Sequence, residues 1–345
     1  LIALGVFFSN KENTKIKIGI ISHLSGEYAS YGVPMKNGME LALNKLDPEH
    51  KKYELVVEDD GADAVQAASA MTKLVTVDKV NYILSAQGSG AASVIIPIAE
   101  SNKRILMITL ASAPDLLKNT KYVFRSVPSD VYRGVKMVSY LNNILQAKRV
   151  AGLYPNDPYG VGIKGIIETG SNGKNSISEL FTPGASDFRT NLLKIKEQKP
   201  DTLVLVAREN EYPLILKQVK ELGIKANIIT SETFKDDKIL ANAGKNAEGV
   251  ITFMAEPKDY VNFASDYKKA YSVEPSAYSM YGYDGMTALI SALAKSGDNV
   301  EKVRKALREV RENGASGVVS FSESGDRTGV EYSTYKVILG EFVRQ

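Results

Sequence analysis

The sequence predicts an α/β fold of two doubly wound, Rossmann-like lobes. Three observations predict it. From Lys15 onward, short runs rich in Val and Ile alternate with longer stretches of helical periodicity, the pattern of βαβ units on a parallel sheet. These units form two series separated by "SVPSDVYRG". With 345 residues, 44% of them hydrophobic, the chain is long enough for two domains that each bury a core.

The first series takes its strands from "IKIGIIS", "YELVVED", "NYILSA", "ILMITL" and "YVFRSV". In the separator, Pro128 breaks the pattern and Ser129 or Asp130 is placed to cap the next helix. The second series comprises "RVAGLYP", "SISELF", "DTLVLVA", "NIITSE" and "GVITFMA", with helical patterns such as "SDFRTNLLKIKEQ" between them. Three helical patterns follow, "DYVNFASDYKKAYS", "YGYDGMTALISALAKSG" and "NVEKVRKALREV". A third, all-helical domain would leave them little sheet to cover, so they are expected to return to the first lobe. "GVVSFSESGDRTG" and the strand-like "EYSTYKVILGEFV" come after them, and the last strands are expected to cross again to the second. The expected division is residues 15–128 plus 257–328 for one lobe and 129–256 plus 329–345 for the other. No fixed short repeat or low-complexity segment appears.

The opening residues 1–14 lead with the apolar run "LIALGVFF", followed by a polar linker. The run reads as the remnant of an export signal or membrane anchor. No small-residue cleavage site or lipid-accepting cysteine follows it, so an uncleaved anchor competes with a cleaved signal. A stray apolar tail is the bland alternative.

Composition narrows the chemistry. The 43 basic and 40 acidic residues are spread evenly, with no basic stripe for nucleic acid. With no cysteine and two histidines, His23 and His50, thiol nucleophiles, thiolate metal sites and multi-histidine centres are excluded. Neither a cofactor nor a metal is expected.

In open α/β sheets ligands bind beyond the carboxyl ends of the strands, and four loops there are unusual. The first is "SHLSGEYASYG". The second, "AQGSGAAS", opens a helix after the third strand. As a dinucleotide fingerprint it lacks the third small residue, having Ser93 there, and it follows the wrong strand. As a carboxylate cradle it offers main-chain N–H groups, the positive end of a helix and the Ser89 hydroxyl. The alternative is that Ser89 only caps its helix. The third loop, "TLASAPDLL", adds Ser112 as a donor beside small residues. The fourth, "IITSETF", puts Glu232 at a strand end, where an acid suits an ammonium group; a plain surface acid is the alternative.

Together with "YPNDPYGVG", these loops resemble the leucine/isoleucine/valine-binding protein family of extracytoplasmic solute receptors, by order and spacing from about Lys15 to the C-terminus. The resemblance implies two lobes joined by three strands that close on an amino acid and deliver it to a membrane-bound ABC importer. It implies that Ser89 and Ser112 bind the ligand carboxylate, with main-chain groups of Leu110 and Ala111. Glu232 would hold the ammonium, and Tyr31, Tyr159 and Tyr278 would line the cleft. Arg208, in "VARENEY", departs from the tyrosine of the branched-chain receptors. It either faces the cleft, pairing with Glu232 or meeting an acid on the ligand, or points outward to Glu209 or Glu211. His23 departs from a small residue.

The expected protein is thus a monomeric extracytoplasmic receptor for an amino acid or small amide, working with an ABC permease and catalysing nothing. One rival is a ligand-sensing domain, cytoplasmic or membrane-tethered. The other is an enzyme using NAD or a serine nucleophile. "QGSGA" lacks the spacing of a nucleophile elbow, and neither histidine belongs to an evident triad.

Overall fold

The computed structural model describes residues 15–26, 28–257 and 260–345. The apolar tail at 1–14, and with it the signal or anchor reading, lies outside the described residues, as does Glu27 of the first loop. Among the described residues no helix is long and apolar enough to cross a membrane.

The first series runs β1 (Ile16–Ser22), α1 (Ala29–Leu46), β2 (Tyr53–Asp59), α2 (Ala64–Thr76), β3 (Tyr82–Ala86), α3 (Ser89–Ser101), β4 (Ile105–Ile108) and β5 (Val123–Arg125). Its strands form one parallel sheet in the order β2-β1-β3-β4-β5. β1 (IKIGIIS) and β3 (YILSA) are buried along most or all of their length because helices cover both faces.

The second series runs α4 (Asp130–Ser139), β6 (Val150–Pro155), α5 (Pro158–Gly170), β7 (Asn175–Phe181), α6 (Arg189–Glu197), β8 (Thr202–Leu205), α7 (Glu211–Glu221), β9 (Asn227–Thr230), α8 (Asp237–Ala243) and β10 (Ile251–Ala255). As the separator suggested, Ser129 caps α4, its hydroxyl accepting from Val131 N–H at 3.3 Å.

There follow α9 (Tyr260–Tyr271), α10 (Ser279–Ser296), α11 (Val300–Arg308), the hairpin β11 (Glu312–Gly314) and β12 (Gly317–Val319), then β13 (Tyr332–Ile338) and β14 (Glu341–Arg344). The three helices pack on the first sheet: Met280, Leu289, Leu293 and Leu307 share a core with Ile18, Tyr82 and Phe124. α10 lies close against α1 because Gly38 and Gly282 face backbone; a Cβ on either would strike Ser279 O or Met35 O respectively.

β13 pairs with β10 and β14 with β13, both antiparallel, so the second sheet is mixed, in the order β14-β13-β10-β9-β8-β6-β7. That differs from an all-parallel reading. "EYSTYKVILGEFV" is two strands, because Leu339 and Gly340, both at positive φ, make the tight turn a hairpin needs.

The chain therefore crosses between the sheets three times: after β5, after β10 and before β13. Two buried arginines hold the crossings together. Arg125 pairs with Asp326 at 2.5 Å and donates from Nη1 to Ala113 O at 2.8 Å. Arg327 donates from Nη1 to Ser126 O and to Asp284, each at 2.9 Å.

Candidate functional site

Both sheets place their first strand beside their third, β1 against β3 and β6 against β8. The loops leaving such a neighbouring pair diverge to opposite faces and open a crevice at the carboxyl end of the sheet. The two crevices face each other across a cavity of about 190 Å³. Its walls carry His23 after β1, Gly88 to Ala91 after β3, Asp157 and Tyr159 after β6, and Arg208 after β8. Contacts span the two sides. Ser30 donates to Glu209 at 2.9 Å, and the Arg208 guanidinium lies 5.8 Å from the Tyr28 ring centre.

The start of α3 leaves main-chain N–H groups at the cavity wall, with one exception. Gly88 is the cap residue and Ser89 the first helical residue, with no side-chain cap bond. Gly88 N–H is already used: it donates to His23 Nε2 at 3.1 Å. The ring is fixed from behind by Asp60, 2.6 Å from Nδ1, and Gln87 Nε2 donates to the other Asp60 oxygen. His23 and Asp60 are both buried. Burial would raise the Asp60 pKa, but the hydrogen bonds from His23, Gln87 and Ala62 N–H outweigh it, and the carboxyl sits below its ordinary range. The N–H groups of Ser89, Gly90 and Ala91 belong to the first turn, which has no acceptors within the helix. The Ser89 hydroxyl accepts from Ala113 N–H at 3.3 Å, which leaves its own proton available.

Ser112 behaves differently from the expected carboxylate donor. Its hydroxyl proton is directed at Asp130 Oδ2, 3.0 Å away, so the hydroxyl offers the cavity only lone pairs. Leu110 lines the cavity, whereas the Ala111 side chain is packed into the core behind it.

Glu232 has a partner that the sequence reading did not assign. Arg133, on the second turn of α4, pairs with Glu232 and with Asp130. One cation between two acids leaves this cluster one negative charge in excess. Tyr159 Oη donates to Ser231 at 2.8 Å and lies 3.4 Å from Glu232. Arg208 lines the cavity but pairs with Asp157, neither with Glu232 nor through its side chain with Glu209 or Glu211; only its backbone N–H meets Glu211, at 2.8 Å. Its own burial would lower its pKa, but the charge and hydrogen bond of Asp157 outweigh this and raise it, so the guanidinium is permanently charged.

Much of the remaining wall is tyrosine. Tyr31 and Tyr278 meet edge to face with ring centres 5.2 Å apart, and Tyr281 and Tyr332 lie beyond them. Burial pushes all four phenols up, Tyr281 to about 12, so they remain neutral.

This geometry, a cavity between two doubly wound sheets with three crossings, agrees with the comparisons. A family model described as "Periplasmic binding protein" matches residues 15–338. The chain belongs to the periplasmic binding protein family. It is similar to the Leu/Ile/Val-binding protein of Escherichia coli, 26% identical over 96% of this chain and 94% of that one. It is as similar to the Leu/Ile/Val-binding protein BraC3 of Rhizobium johnstonii, 26% identical over 97% and 95%. The crystal structure of leucine binding protein LivK from Thermotoga maritima superposes with a TM-score of 0.86, at 25% identity, covering 96% of this chain and 97% of that one. As a periplasmic binding protein the chain is a solute receptor. What its loops enclose is a binding cavity.

Of the residues singled out from sequence, the structure brings Ser89, Leu110, Ser112, Glu232, Tyr31, Tyr159, Arg208 and Tyr278 to the cavity wall. Sequence reasoning missed Arg133, Asp157 and Tyr28. Asp130 was read only as a cap, yet "DVYR" sets Asp130 and Arg133 one helical turn apart right after the crossing, and that spacing was the available signal.

Proposed function

We propose that the protein captures an α-amino acid between its lobes, residues 15–128 plus 257–328 and residues 129–256 plus 329–345, and passes it to an ABC importer outside the cytoplasm. The observation that carries this reading is the opposite character of the two ends of the cavity. One end has the unused N–H groups of α3 and the Ser89 hydroxyl, all donors, suited to a carboxylate. The other has Glu232, Asp130 and the Ser112 lone pairs around a single Arg133, an excess of acceptors and of negative charge suited to an ammonium. Burying either charge of an amino acid alone is costly, so a site that offers both partners selects for molecules carrying both.

This assignment moves Ser112 from the carboxylate to the ammonium group. Leu110 and Ala111 supply main chain beside it, and Tyr31, Tyr159 and Tyr278 shape the space for the side chain. Because the start of α3 belongs to the first lobe while Glu232 and Asp130 belong to the second, solute binding and closure are one equilibrium. This reading involves no chemical step, and its working unit is a monomer.

The test is thermal shift with matched compounds: an α-amino acid, its deaminated acid and its carboxamide. A ligand at 100 times its Kd stabilises the protein by about 2.7 kcal/mol. The amino acid is expected to raise Tm and the two truncated compounds to leave it within error. Equal shifts from amino acid and deaminated acid would remove the ammonium from the reading.

A further inference from the structure

The part of the cavity left for the solute's side chain holds an ion pair. Arg208 and Asp157, after β8 and β6, pair within the wall, and the guanidinium lies 5.8 and 5.9 Å from the ring centres of Tyr28 and Tyr159. We infer that the solute is an amino acid whose side chain ends in a carboxamide, its oxygen accepting from Arg208 and its nitrogen donating to Asp157. The inference rests on the amino-acid reading above and adds the class of side chain.

The hydrogen-bonding account of the pair shows what is missing. Arg208 Nη2 is spent on Asp157 Oδ2, while Nη1 is buried with no hydrogen-bond partner among the described residues. Asp157 receives Gly160 N–H at Oδ1, 2.9 Å, as the cap of α5, and each of its oxygens keeps acceptor capacity. The wall thus presents a charged guanidinium and a carboxylate with spare acceptor capacity side by side, the two side chains 21% and 16% exposed. An aliphatic side chain would cover this pair without meeting its polar groups, which binding sites discriminate against strongly.

Charge separates the polar candidates. The pair is neutral in sum, and among the described residues two further acids lie beside Arg208, Glu211 on its own backbone N–H and the neighbouring Glu209, tied to Ser30, while Arg133, across the Tyr159 ring, is already held by Asp130 and Glu232. A second carboxylate on the solute would enter beside Asp157 with no uncompensated cation to meet it. A second ammonium would compete with Arg208 for Asp157. A carboxamide is neutral and offers an acceptor and a donor side by side, which matches the fork of a paired guanidinium and carboxylate.

The test is calorimetric titration of the whole protein, stripped of solute by unfolding and refolding, with glutamine, asparagine, glutamate, aspartate, leucine, valine and threonine. Glutamine or asparagine is expected to bind roughly a hundredfold more tightly than leucine and than its own acid. Arg208→Tyr is expected to cut that preference over leucine at least about tenfold. Tightest binding by leucine, valine, threonine or either acid overturns the carboxamide and leaves the amino-acid reading standing, as does a preference over leucine that Arg208→Tyr leaves undiminished. Binding by no α-amino acid overturns both.

Discussion

Arg133 and Glu232 form an ion pair at the floor of the cavity, the arginine nearly inaccessible and the glutamate 12% exposed. Asp130 closes the group from the other side, fully buried. The cluster sits where α4 leaves the first crossing, so the acid on the cavity wall is held by the helix that directly follows that crossing.

Removing the cation should therefore cost stability as well as binding. Arg133→Met leaves two acids buried without a partner, and breaking a buried pair in this way costs about 3–5 kcal/mol. Urea unfolding should show that loss, and adding Glu232→Gln in the same chain should recover part of it. Glu232→Gln alone should keep most of the stability while the amino-acid thermal shift disappears.

Gly90 offers a substitution with the opposite profile. A Cβ there meets nothing within 4 Å, because the position opens on the cavity. Gly90→Val should leave the unfolding midpoint of the solute-free protein nearly unchanged while filling the space above the cradle. Titration should then find no binding at concentrations that saturate the parent.

Gly38 should behave as a packing residue only. Its Cβ would strike the Ser279 carbonyl, which is backbone and has no rotamer to yield. Gly38→Ala should destabilise by about 1–3 kcal/mol through overpacking, measured by urea unfolding, with ligand preference retained in the folded fraction.

Asp60 gives a pH signature with a defined sign. Its folded pKa lies below the unfolded value of about 3.9. Its contribution is therefore fully present above that value and lost as pH falls through the folded pKa. Asp60→Asn should be less stable than the parent at pH 7 by about 1–3 kcal/mol. The gap should narrow below about pH 4. A gap of constant size from pH 7 to pH 3 would show that the lost bonds do not depend on the charge.

The alternation of apolar runs and helical periods is local, so nearly every strand and the two-lobed plan were readable from the sequence. The start of α3 was readable too, because a glycine-serine turn between strand and helix is contiguous. What escaped were the partners. Arg133 and Glu232 are about a hundred residues apart in the chain, and Arg208 finds Asp157 on another strand rather than Glu209 or Glu211 beside it. Charge pairing across a cleft has no sequence period, so proximity in the chain suggested the wrong neighbours. The Ser112 proton escaped for the same reason: its direction depends on Asp130, which only the fold brings within 3.0 Å.

The second crossing has a consequence for how the molecule is made. α10 and α11, which cover one face of the first sheet, come from the last part of the chain, after all of the second sheet's parallel strands. A nascent chain emerging from the ribosome therefore carries five completed strands with a greasy flank bare while the whole second α/β series is translated. The first lobe cannot settle until synthesis is almost over, so a chaperone that masks this flank would matter more for yield than any single contact in the cavity.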